Sequence, residues 1–239
     1  MTTLVIGANG AIGKACVSEL QKSEKVIAAD LTLPKFDFSG NYILDVKDVK
    51  EVSHLIKSLD EVDPISGMIY AAGLNTTGPL DAVNWEDYER VMAVNLRGAF
   101  YVGAALMTEL RFRPREFSAV FIASTAGLVG ESGGSVYCAS KFGLIGFTQS
   151  FAGEISQFGG RANVVCPGNV ESPMLEELAT AIGARSGKSG AKTLDEWKNA
   201  SGFKRLIRPE EVAQTCSWLL SNNSSGISGQ TIVVDGPKA

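Results

Sequence analysis

The stretch Thr3–Lys22, TLVIGANGAIGKACVSELQK, starts as a short apolar run, passes through three glycines and ends in a helical pattern. Strand, glycine turn and helix in this order are the context in which a dinucleotide-binding fingerprint is credible. The glycines let the backbone turn tightly and approach a pyrophosphate, which then lies at the helix N-terminus. A strand-to-helix turn also uses glycine for geometry alone, so both interpretations stay open here. The candidate contacts are Gly7, Asn9, Gly10, Ala11, Ile12 and Gly13.

An acidic residue follows the second predicted strand, Lys25–Ala29, seventeen residues beyond Gly13. Asp30 can accept hydrogen bonds from the adenosine ribose, and its charge repels a 2′-phosphate. The sequence has no Arg or Lys within the glycine turn or directly after Asp30 to bind such a phosphate. It therefore predicts NAD rather than NADP as the cofactor, with Leu31 as a further contact.

Residues 31–42, LTLPKFDFSGNY, show no helical period, and we expect a loop where a helix normally joins two parallel strands. The third short strand, 42–44, reaches Asp45. That residue is either the N-cap of the next helix or a contact to the adenine ring, on which Val46 could pack. The cofactor site is thereby predicted to extend to this strand end.

A fourth buried strand, Gly67–Ala71, runs into Ala72 and Gly73. Small residues here suit a backbone that lies close under a ligand, so Ala71, Ala72 and Gly73 are candidate cofactor contacts. A long helical pattern, 85–110, follows and carries Asn95 among apolar residues. A buried amide needs hydrogen-bond partners, so Asn95 is either a structural bond maker or the anchor of an ordered water.

Residues Ser124–Lys141, STAGLVGESGGSVYCASK, contain the most informative polar spacing of the chain. Ser124 stands thirteen residues before Tyr137, and Tyr137 stands four residues before Lys141. Residues four apart share one face of a helix, so the phenol and the ammonium are predicted side by side. A neighbouring cation lowers the pKa of a phenol, as a proton-transfer group requires. The same pair also occurs on exposed helix faces without any function.

Strands and helices alternate along the whole sequence, which predicts an α/β fold. We expect one domain, 1–239, with a doubly wound parallel sheet of about seven strands in the Rossmann manner. Residues 172–205 form a long excursion, partly helical and partly rich in Gly, Ser and Lys. Long connections in a compact domain are usually functional lids or disordered, so we expect a substrate lid here.

Composition excludes several classes of function. The net charge of −4 without blocks of like charge argues against nucleic acid or a membrane as the main partner. Four scattered cysteines and a single histidine predict reduced thiols and no metal site. We see no signal peptide and no apolar run long enough to span a bilayer, so a cytoplasmic location is expected.

These motifs together resemble the short-chain dehydrogenase/reductase superfamily, in its single-domain branch, across essentially the whole chain. Asn95, Ser124, Tyr137 and Lys141 match its catalytic tetrad in order and spacing. The segment with Pro167, Gly168, Val170 and Ser172 resembles the family's P-G-x-V-x-T, which cradles the nicotinamide carboxamide. RPEEVA and GQTIVVDG resemble its C-terminal signature.

The resemblance implies hydride transfer between NAD and a secondary alcohol or ketone. Tyr137 would exchange the hydroxyl proton, and Lys141 would lower the pKa of Tyr137 and hold the ribose hydroxyls. Ser124 would orient the substrate oxygen, and Asn95 would anchor a water that relays the proton. The helix after Tyr137 is apolar on most faces, which suits a homotetramer, as in the family, or a homodimer.

The sequence departs from the family pattern in ways that keep alternatives open. Ile6 and Ala11 replace a threonine and a glycine of the usual first motif, and Gly10 comes one position early, as in the longer epimerase branch. The usual N-N-A-G begins here with Tyr70 and Ala71, so an asparagine that braces the sheet is absent. Substrates of polyol, dihydrodiol or hydroxy acid type fit different segments. A 3-oxoacyl reductase, which usually prefers NADP, and a non-enzymatic nucleotide-binding relative remain alternatives.

Residues of the excursion offer two kinds of substrate contact. Met174, Leu175 and Leu178 would either wall an apolar pocket or pack a lid helix against the sheet. Arg185, Lys188 and Lys192 would either recognise a phosphate or carboxylate, or be solvated charges on a loop. Neither pair of alternatives is decided by the sequence.

Overall fold

Seven parallel strands form the centre of the computed structural model, which describes residues 1–38 and 40–237. The strands are β1 (Thr2–Ile6), β2 (Lys25–Asp30), β3 (Asn41–Ile43), β4 (Gly67–Tyr70), β5 (Phe117–Ile122), β6 (Gly160–Pro167) and β7 (Thr231–Val234). Their order in the sheet is β3-β2-β1-β4-β5-β6-β7. This confirms the doubly wound parallel sheet and its predicted number of strands. Each strand's alternate side chains face opposite sides of the sheet, as in β1, where Leu4 and Ile6 join one apolar cluster and Val5 the other.

Helices cover both faces of the sheet. They are α1 (Ala11–Leu20), α2 (Val49–Val62), α3 (Trp85–Met92), α4 (Gly98–Phe112), α5 (Ser135–Ile155), α6 (Pro173–Arg185), α7 (Gly190–Ala200) and α8 (Pro209–Leu220). Buried residues of α2, α4 and α5 share one apolar cluster, and those of α1 and α8 share the other. Both faces of the inner strands are therefore buried, which explains their nearly continuous apolar sequences.

The described residues between β2 and β3 form a loop, as the sequence predicts, and aromatic side chains occupy the place of the missing helix. Phe36 and Phe38 stack with ring centroids 5.6 Å apart and pack against the cluster that contains α1 and α8. The Asn41 side chain donates to the carbonyls of Phe36, at 3.0 Å, and of Phe38, at 2.6 Å. The loop is thus fixed to the edge strand, and its two rings cover the sheet face.

The long helical pattern after β4 is divided in the structure. A π-helical turn, Ala93–Arg97, separates α3 from α4. Turns of this kind are rare and occur frequently at functional sites. The sequence predicted one uninterrupted helix, because the apolar period does not reveal a single extra residue in a turn.

The same stretch corrects the expectation that no apolar run of the chain is long enough to span a bilayer. Within the described residues, Trp85–Phe112 spans 28 residues and reaches a mean hydropathy of 1.3, enough by length and composition to cross a membrane. Half of that apolar window is buried inside the protein. Its location against the sheet is that of a core helix.

Candidate active site

Two neighbouring depressions open at the carboxyl ends of the strands. The chain runs from β1 to β2 on one side and from β4 to β5 on the other, so the strand order reverses between β1 and β4. Ligands of open α/β sheets bind at such switch points. The sequence-predicted site residues of both halves of the chain meet here.

The glycine turn has the geometry of a phosphate cradle. Gly7 adopts a φ of +83°, and a Cβ at this position would collide with the backbone of Ala72. A Cβ at Gly13 would collide with the Gly7 carbonyl, so Gly13 permits the close packing of α1 on the turn. The N-terminus of α1 has no side-chain cap and no acidic residue in its first turn. Backbone N–H groups at an uncapped helix start suit an anion, so the turn fits a dinucleotide pyrophosphate.

Asp30 supports this turn as well as facing the cleft beside it. Its Oδ2 accepts a hydrogen bond from the Asn9 backbone N–H at 2.9 Å. The Asn9 side chain donates to the Thr32 carbonyl at 2.8 Å. The acid therefore has a structural role that sequence reasoning did not foresee.

The first depression, the cofactor cleft, has a volume of about 550 Å³, within the usual range for ligand pockets. Sequence-predicted residues that line it are Gly7, Asn9, Gly10, Asp30, Leu31, Asp45, Val46, Ala71, Ala72 and Gly73. Lining residues that sequence reasoning missed are Ile6, Leu44, Lys47, Leu74, Arg90 and Val94. Both basic side chains are paired with carboxylates: Lys47 with Asp45 at 3.4 Å and Arg90 with Asp87 at 2.6 Å. Ala11 and Gly13 lie in α1, outside the described lining of both depressions.

Asp45 lines the cleft and does not cap a helix. The N-cap of α2 is Asp48, whose Oδ1 accepts from the backbone N–H groups of Lys50 and Glu51. The N-cap interpretation of Asp45 is therefore wrong, because α2 begins one turn later than the sequence pattern suggested.

The second depression, the reaction cavity, has a volume of about 160 Å³. Sequence-predicted residues that line it are Ile12, Ser124, Tyr137, Pro167, Gly168, Val170, Ser172, Met174, Leu175 and Leu178. The three apolar α6 residues therefore line the cavity, as the pocket interpretation expected, and their packing against the sheet stays a prediction. Missed lining residues include Asn75, Thr77, Glu131 and Asn169, which stand in loops without a periodic signal. Glu131 lies inside the Ser124–Lys141 stretch, where an acid so near Tyr137 was a usable signal.

The excursion between β6 and α8 is more regular than predicted. It folds into α6 and α7, joined by a short Gly/Ser/Lys segment. Arg185 donates to the Thr77 carbonyl at 3.2 Å and to its Oγ1 at 2.8 Å. Lys188 bonds both carboxylate oxygens of Glu196, at 2.7 and 2.8 Å. Two of the three suggested anion-binding cations therefore already have partners.

Tyr137, half-buried in α5, lies beside Ser124 at the end of β5. Ser124 is placed two residues beyond the strand, where its Oγ accepts from the Ala126 N–H at 3.2 Å. Burial raises the pKa of Tyr137 to about 12, the Ser124 hydroxyl lowers it in part, and the charge of Glu131 raises it further. The phenol is thus protonated at neutral pH.

Lys141 is buried beneath Tyr137. Its Nζ lies 5.6 Å from the centroid of the Tyr137 ring and donates to the Ile122 carbonyl at 2.9 Å. Burial lowers the pKa of Lys141 to about 8, and the nearby Cys166 raises it in part. Desolvation is thus the main cause of the raised pKa of Tyr137, and the expectation that Lys141 lowers this pKa stays a prediction.

Asn95, in the π-helical turn, is fully buried and its side chain makes three hydrogen bonds. Its Nδ2 donates to the Leu74 carbonyl at 2.9 Å and to Ser140 Oγ at 3.0 Å. Its Oδ1 accepts from the Leu74 N–H at 2.8 Å. Asn95 therefore joins the loop after β4 to α5, one residue before Lys141, as the bond-making interpretation predicted.

Comparison with known proteins identifies the family. The family model described as enoyl-(acyl carrier protein) reductase matches residues 7–236. The chain belongs to the short-chain dehydrogenase/reductase superfamily. This is a family of oxidoreductases that act on alcohol and carbonyl groups with a nicotinamide cofactor, so the tetrad resemblance and the cofactor class agree with its membership.

Similar proteins within the superfamily have different substrates. The 3-oxoacyl-[acyl-carrier-protein] reductase of Thermotoga maritima is 31% identical over 98% of this chain and 95% of its own length. The (S)-acetoin-forming diacetyl reductase of Staphylococcus aureus is 32% identical over 71% of this chain and 66% of its own. The ligand-free aldohexose dehydrogenase of Thermoplasma acidophilum superposes with a TM-score of 0.87 at 26% identity, covering 98% of this chain and 92% of that one.

Proposed function

We propose that this superfamily member is an NAD(H)-dependent oxidoreductase that interconverts a secondary alcohol and a ketone. The substrate would be of polyol, dihydrodiol or hydroxy acid type. One observation carries the proposal: Ser124 and Tyr137 line the same small cavity as Pro167 and Gly168, with the Lys141 ammonium directly beneath the phenol. Proton-transfer and cofactor-contacting residues thereby surround one reaction space.

The chain's own residues would accept and donate the proton of the substrate hydroxyl. When bound, the nicotinamide would supply the hydride acceptor, so that alcohol plus NAD⁺ would give ketone, NADH and one proton. Tyr137 would accept the hydroxyl proton at its phenolate oxygen, and in the reverse direction its phenol would return a proton to the carbonyl oxygen. Ser124 would donate to that oxygen and fix its position. Lys141 would hold ribose hydroxyls, and Asn95 would support the proton path to solvent.

The residues that would hold the cofactor lie along both depressions. The pyrophosphate would lie on the glycine turn, because the N-terminus of α1 is uncapped. The remaining contacts would come from the cofactor-cleft lining and from the segment after β6. The full set is Gly7, Asn9, Gly10, Ala11, Ile12, Gly13, Asp30, Leu31, Asp45, Val46, Ala71, Ala72, Gly73, Tyr137, Lys141, Pro167, Gly168, Val170 and Ser172.

The preference for NAD rests on the charges of the cofactor cleft. Asp30 presents a carboxylate at the end of β2, where it would accept ribose hydroxyls and repel a 2′-phosphate. The two basic residues of the lining, Lys47 and Arg90, are paired with Asp45 and Asp87. A 2′-phosphate would therefore have to compete with existing ion pairs.

A carbonyl reductase of 3-oxoacyl type is the second candidate. The relative from Thermotoga maritima supports it, and so does a Tyr137 phenol that is protonated at neutral pH and suited to proton donation. A preference for NADPH with 3-oxoacyl thioesters would favour this candidate. A preference for NADH with hydroxylated substrates would favour the first.

A self-association surface is part of the proposal. The exposed side of α4 and α5 forms a broad groove whose members are mostly apolar or small, among them Phe100, Gly103, Gly146 and Phe147, and Arg111 and Glu154 also line it. The rings of Phe100 and Phe147 lie 4.3 Å apart, and Phe100 is 50% exposed. Small residues allow close helix approach, so a second copy would pack here in a homodimer or homotetramer. We propose a single cytoplasmic catalytic domain, with no nucleic acid or membrane partner.

The direct test is turnover by the wild-type protein and Tyr137→Phe. A panel of polyols, dihydrodiols and hydroxy acids is assayed with NAD by the absorbance of NADH. Loss of a general acid or base typically costs roughly 10²–10⁴-fold in rate, while cofactor binding is kept. A folded Tyr137→Phe protein that turns over like the wild type would contradict the assignment.

A further inference from the structure

The reaction cavity has two chemically different walls. Helix α6 supplies the apolar side with Met174, Leu175, Leu178 and Ile182. The loops after β4, β5 and β6 supply the polar side, including Asn75, Thr76, Thr77, Ser132 and Asn169. A ligand that fits this cavity needs polar groups along one side and a small hydrocarbon surface along the other.

Glu131 is the charged member of this lining. Among the described residues that line the cavity, no other side chain carries a full charge. The Glu131 backbone N–H donates to Cys138 Sγ at 3.4 Å, and its carbonyl accepts from the Gly134 N–H at 3.0 Å. Within the described chain its carboxylate makes no hydrogen bond or ion pair. The loop is thus anchored through its backbone, and the carboxylate is available to a ligand.

Glu131 lines the same cavity as Ser124 and Tyr137. Its charge contributes to the raised pKa of Tyr137, which requires proximity to the phenol. A substrate whose reacting oxygen meets Ser124 and Tyr137 therefore occupies the cavity that Glu131 also lines. An ionised carboxylate accepts hydrogen bonds only, and bonds to it are stronger than those between neutral groups.

Nearby cations do not offset this charge within the cavity. Arg185 lies at the mouth, where its guanidinium donates to Thr77. Lys188 is paired with Glu196, and Lys141 donates to the Ile122 carbonyl beneath Tyr137. An anionic substrate group would therefore meet a like charge inside the cavity, which disfavours it.

We infer that Glu131 determines specificity: its carboxylate accepts a hydrogen bond from a second hydroxyl of an uncharged substrate and rejects substrates that carry a carboxylate or phosphate. This rests on the proposed function and narrows its substrate class to neutral polyols, diols and the corresponding hydroxyketones. The cavity volume of about 160 Å³ is below the roughly 300–1,000 Å³ of pockets for drug-sized ligands, so small molecules fit it best.

Three four-carbon probes separate the effect of a second hydroxyl from that of a carboxylate: 2,3-butanediol, 2-butanol and 3-hydroxybutyrate. Each is assayed with NAD using the wild type, Glu131→Gln and a matched control, Glu177→Gln, which makes the same change on the exposed side of α6. Glu131→Gln keeps the shape and removes the charge. We expect kcat/KM for the diol to fall about tenfold or more, that for 2-butanol to change less than about threefold, and that for the hydroxy acid to rise.

The outcomes distinguish failure of the inference from failure of the proposed function. If Glu131→Gln turns over 2-butanol and still prefers the diol to 2-butanol as strongly as the wild type does, the inference is overturned and the proposed function is not. A second result would also overturn the inference: the wild type prefers 3-hydroxybutyrate, and Arg185→Gln abolishes this preference. Arg185 would then be the residue that recognises the substrate. Lack of both turnover and NADH binding would overturn the proposed function, and the inference with it.

A binding measurement covers the case of cofactor binding without turnover. The Tm of the NADH complex is recorded with each probe. A rise with the diol that is absent for 3-hydroxybutyrate and lost in Glu131→Gln would support the inference. Equal shifts in wild type and variant, or no shift with the diol, would overturn it.

Discussion

The Tyr70 phenol donates a hydrogen bond to the Val94 carbonyl, 2.6 Å away, inside the π-helical turn that carries Asn95. Tyr70 is fully buried at the end of β4, and a Cβ at Gly98 would lie 2.5 Å from its hydroxyl oxygen. Burial raises the pKa of this phenol far above its usual value, so it stays a donor. Tyr70 stands where the family pattern has a bracing asparagine, and it braces the turn beside the active site.

Tyr70→Phe should destabilise the protein without opening a cavity. The substitution leaves the buried Val94 carbonyl without its donor, and an unsatisfied buried group costs about 1–3 kcal/mol. The free energy of unfolding from urea titration measures this loss. Tyr42→Phe, at a 36% exposed position in β3, is the control and should change stability little. Equal stability of wild type and Tyr70→Phe would show that the bond contributes nothing.

The two directions of the reaction should differ in their response to pH. Oxidation needs the Tyr137 phenolate, and the pKa of about 12 makes its fraction rise tenfold per pH unit between 7 and 10. Reduction needs the phenol, which at this pKa stays protonated from pH 6 to 10, so its rate should stay nearly constant over that range. Profiles of kcat/KM from pH 6 to 10 in both directions check this. An oxidation rate that falls as pH rises would contradict the assignment of Tyr137.

The glycines of the turn should differ in their tolerance of alanine. A Cβ at Gly13 would collide with the backbone of Gly7, whereas a Cβ at Gly10 would lie 3.3 Å from the Gly7 carbonyl oxygen, a tight contact. Gly10 also has a φ of −68°, which alanine adopts readily. We expect Gly13→Ala to lose NADH binding or folding and Gly10→Ala to keep both. Fluorescence titration with NADH and the Tm compare them, and the reverse ranking would refute this geometry of the turn.

Assembly should depend on the α4–α5 face. Ala104→Arg places a charge among the apolar side chains of the groove and should convert an oligomer into monomers, as measured by light scattering after size exclusion. Ser53→Arg on the exposed side of α2 is the control and should leave the mass unchanged. A wild-type protein that is monomeric at all concentrations would contradict the proposal that this face is a self-association surface.

The sequence predicted those features that depend on a repeating pattern or on a fixed spacing between residues. The sheet, the glycine turn and the Ser124–Tyr137–Lys141 arrangement depend on local patterns, and the structure places them together. What it could not predict depends on tertiary contacts. The pKa of Tyr137 is set by burial, Asp45 lines a cleft because α2 starts at Val49, and Glu131 joins the cavity through an aperiodic loop.

The most direct test of the account is a pair of fluorescence titrations, with NADH and with NADPH, on the wild type, Asp30→Asn and Asp30→Ala. Asp30→Asn keeps an acceptor for the Asn9 N–H and removes the charge, whereas Asp30→Ala removes both. We predict that the wild type prefers NADH, that Asp30→Asn loses the discrimination against NADPH, and that Asp30→Ala also binds NADH more weakly. Wild-type preference for NADPH, or binding of neither nucleotide, would contradict the central claim that this cleft binds NAD.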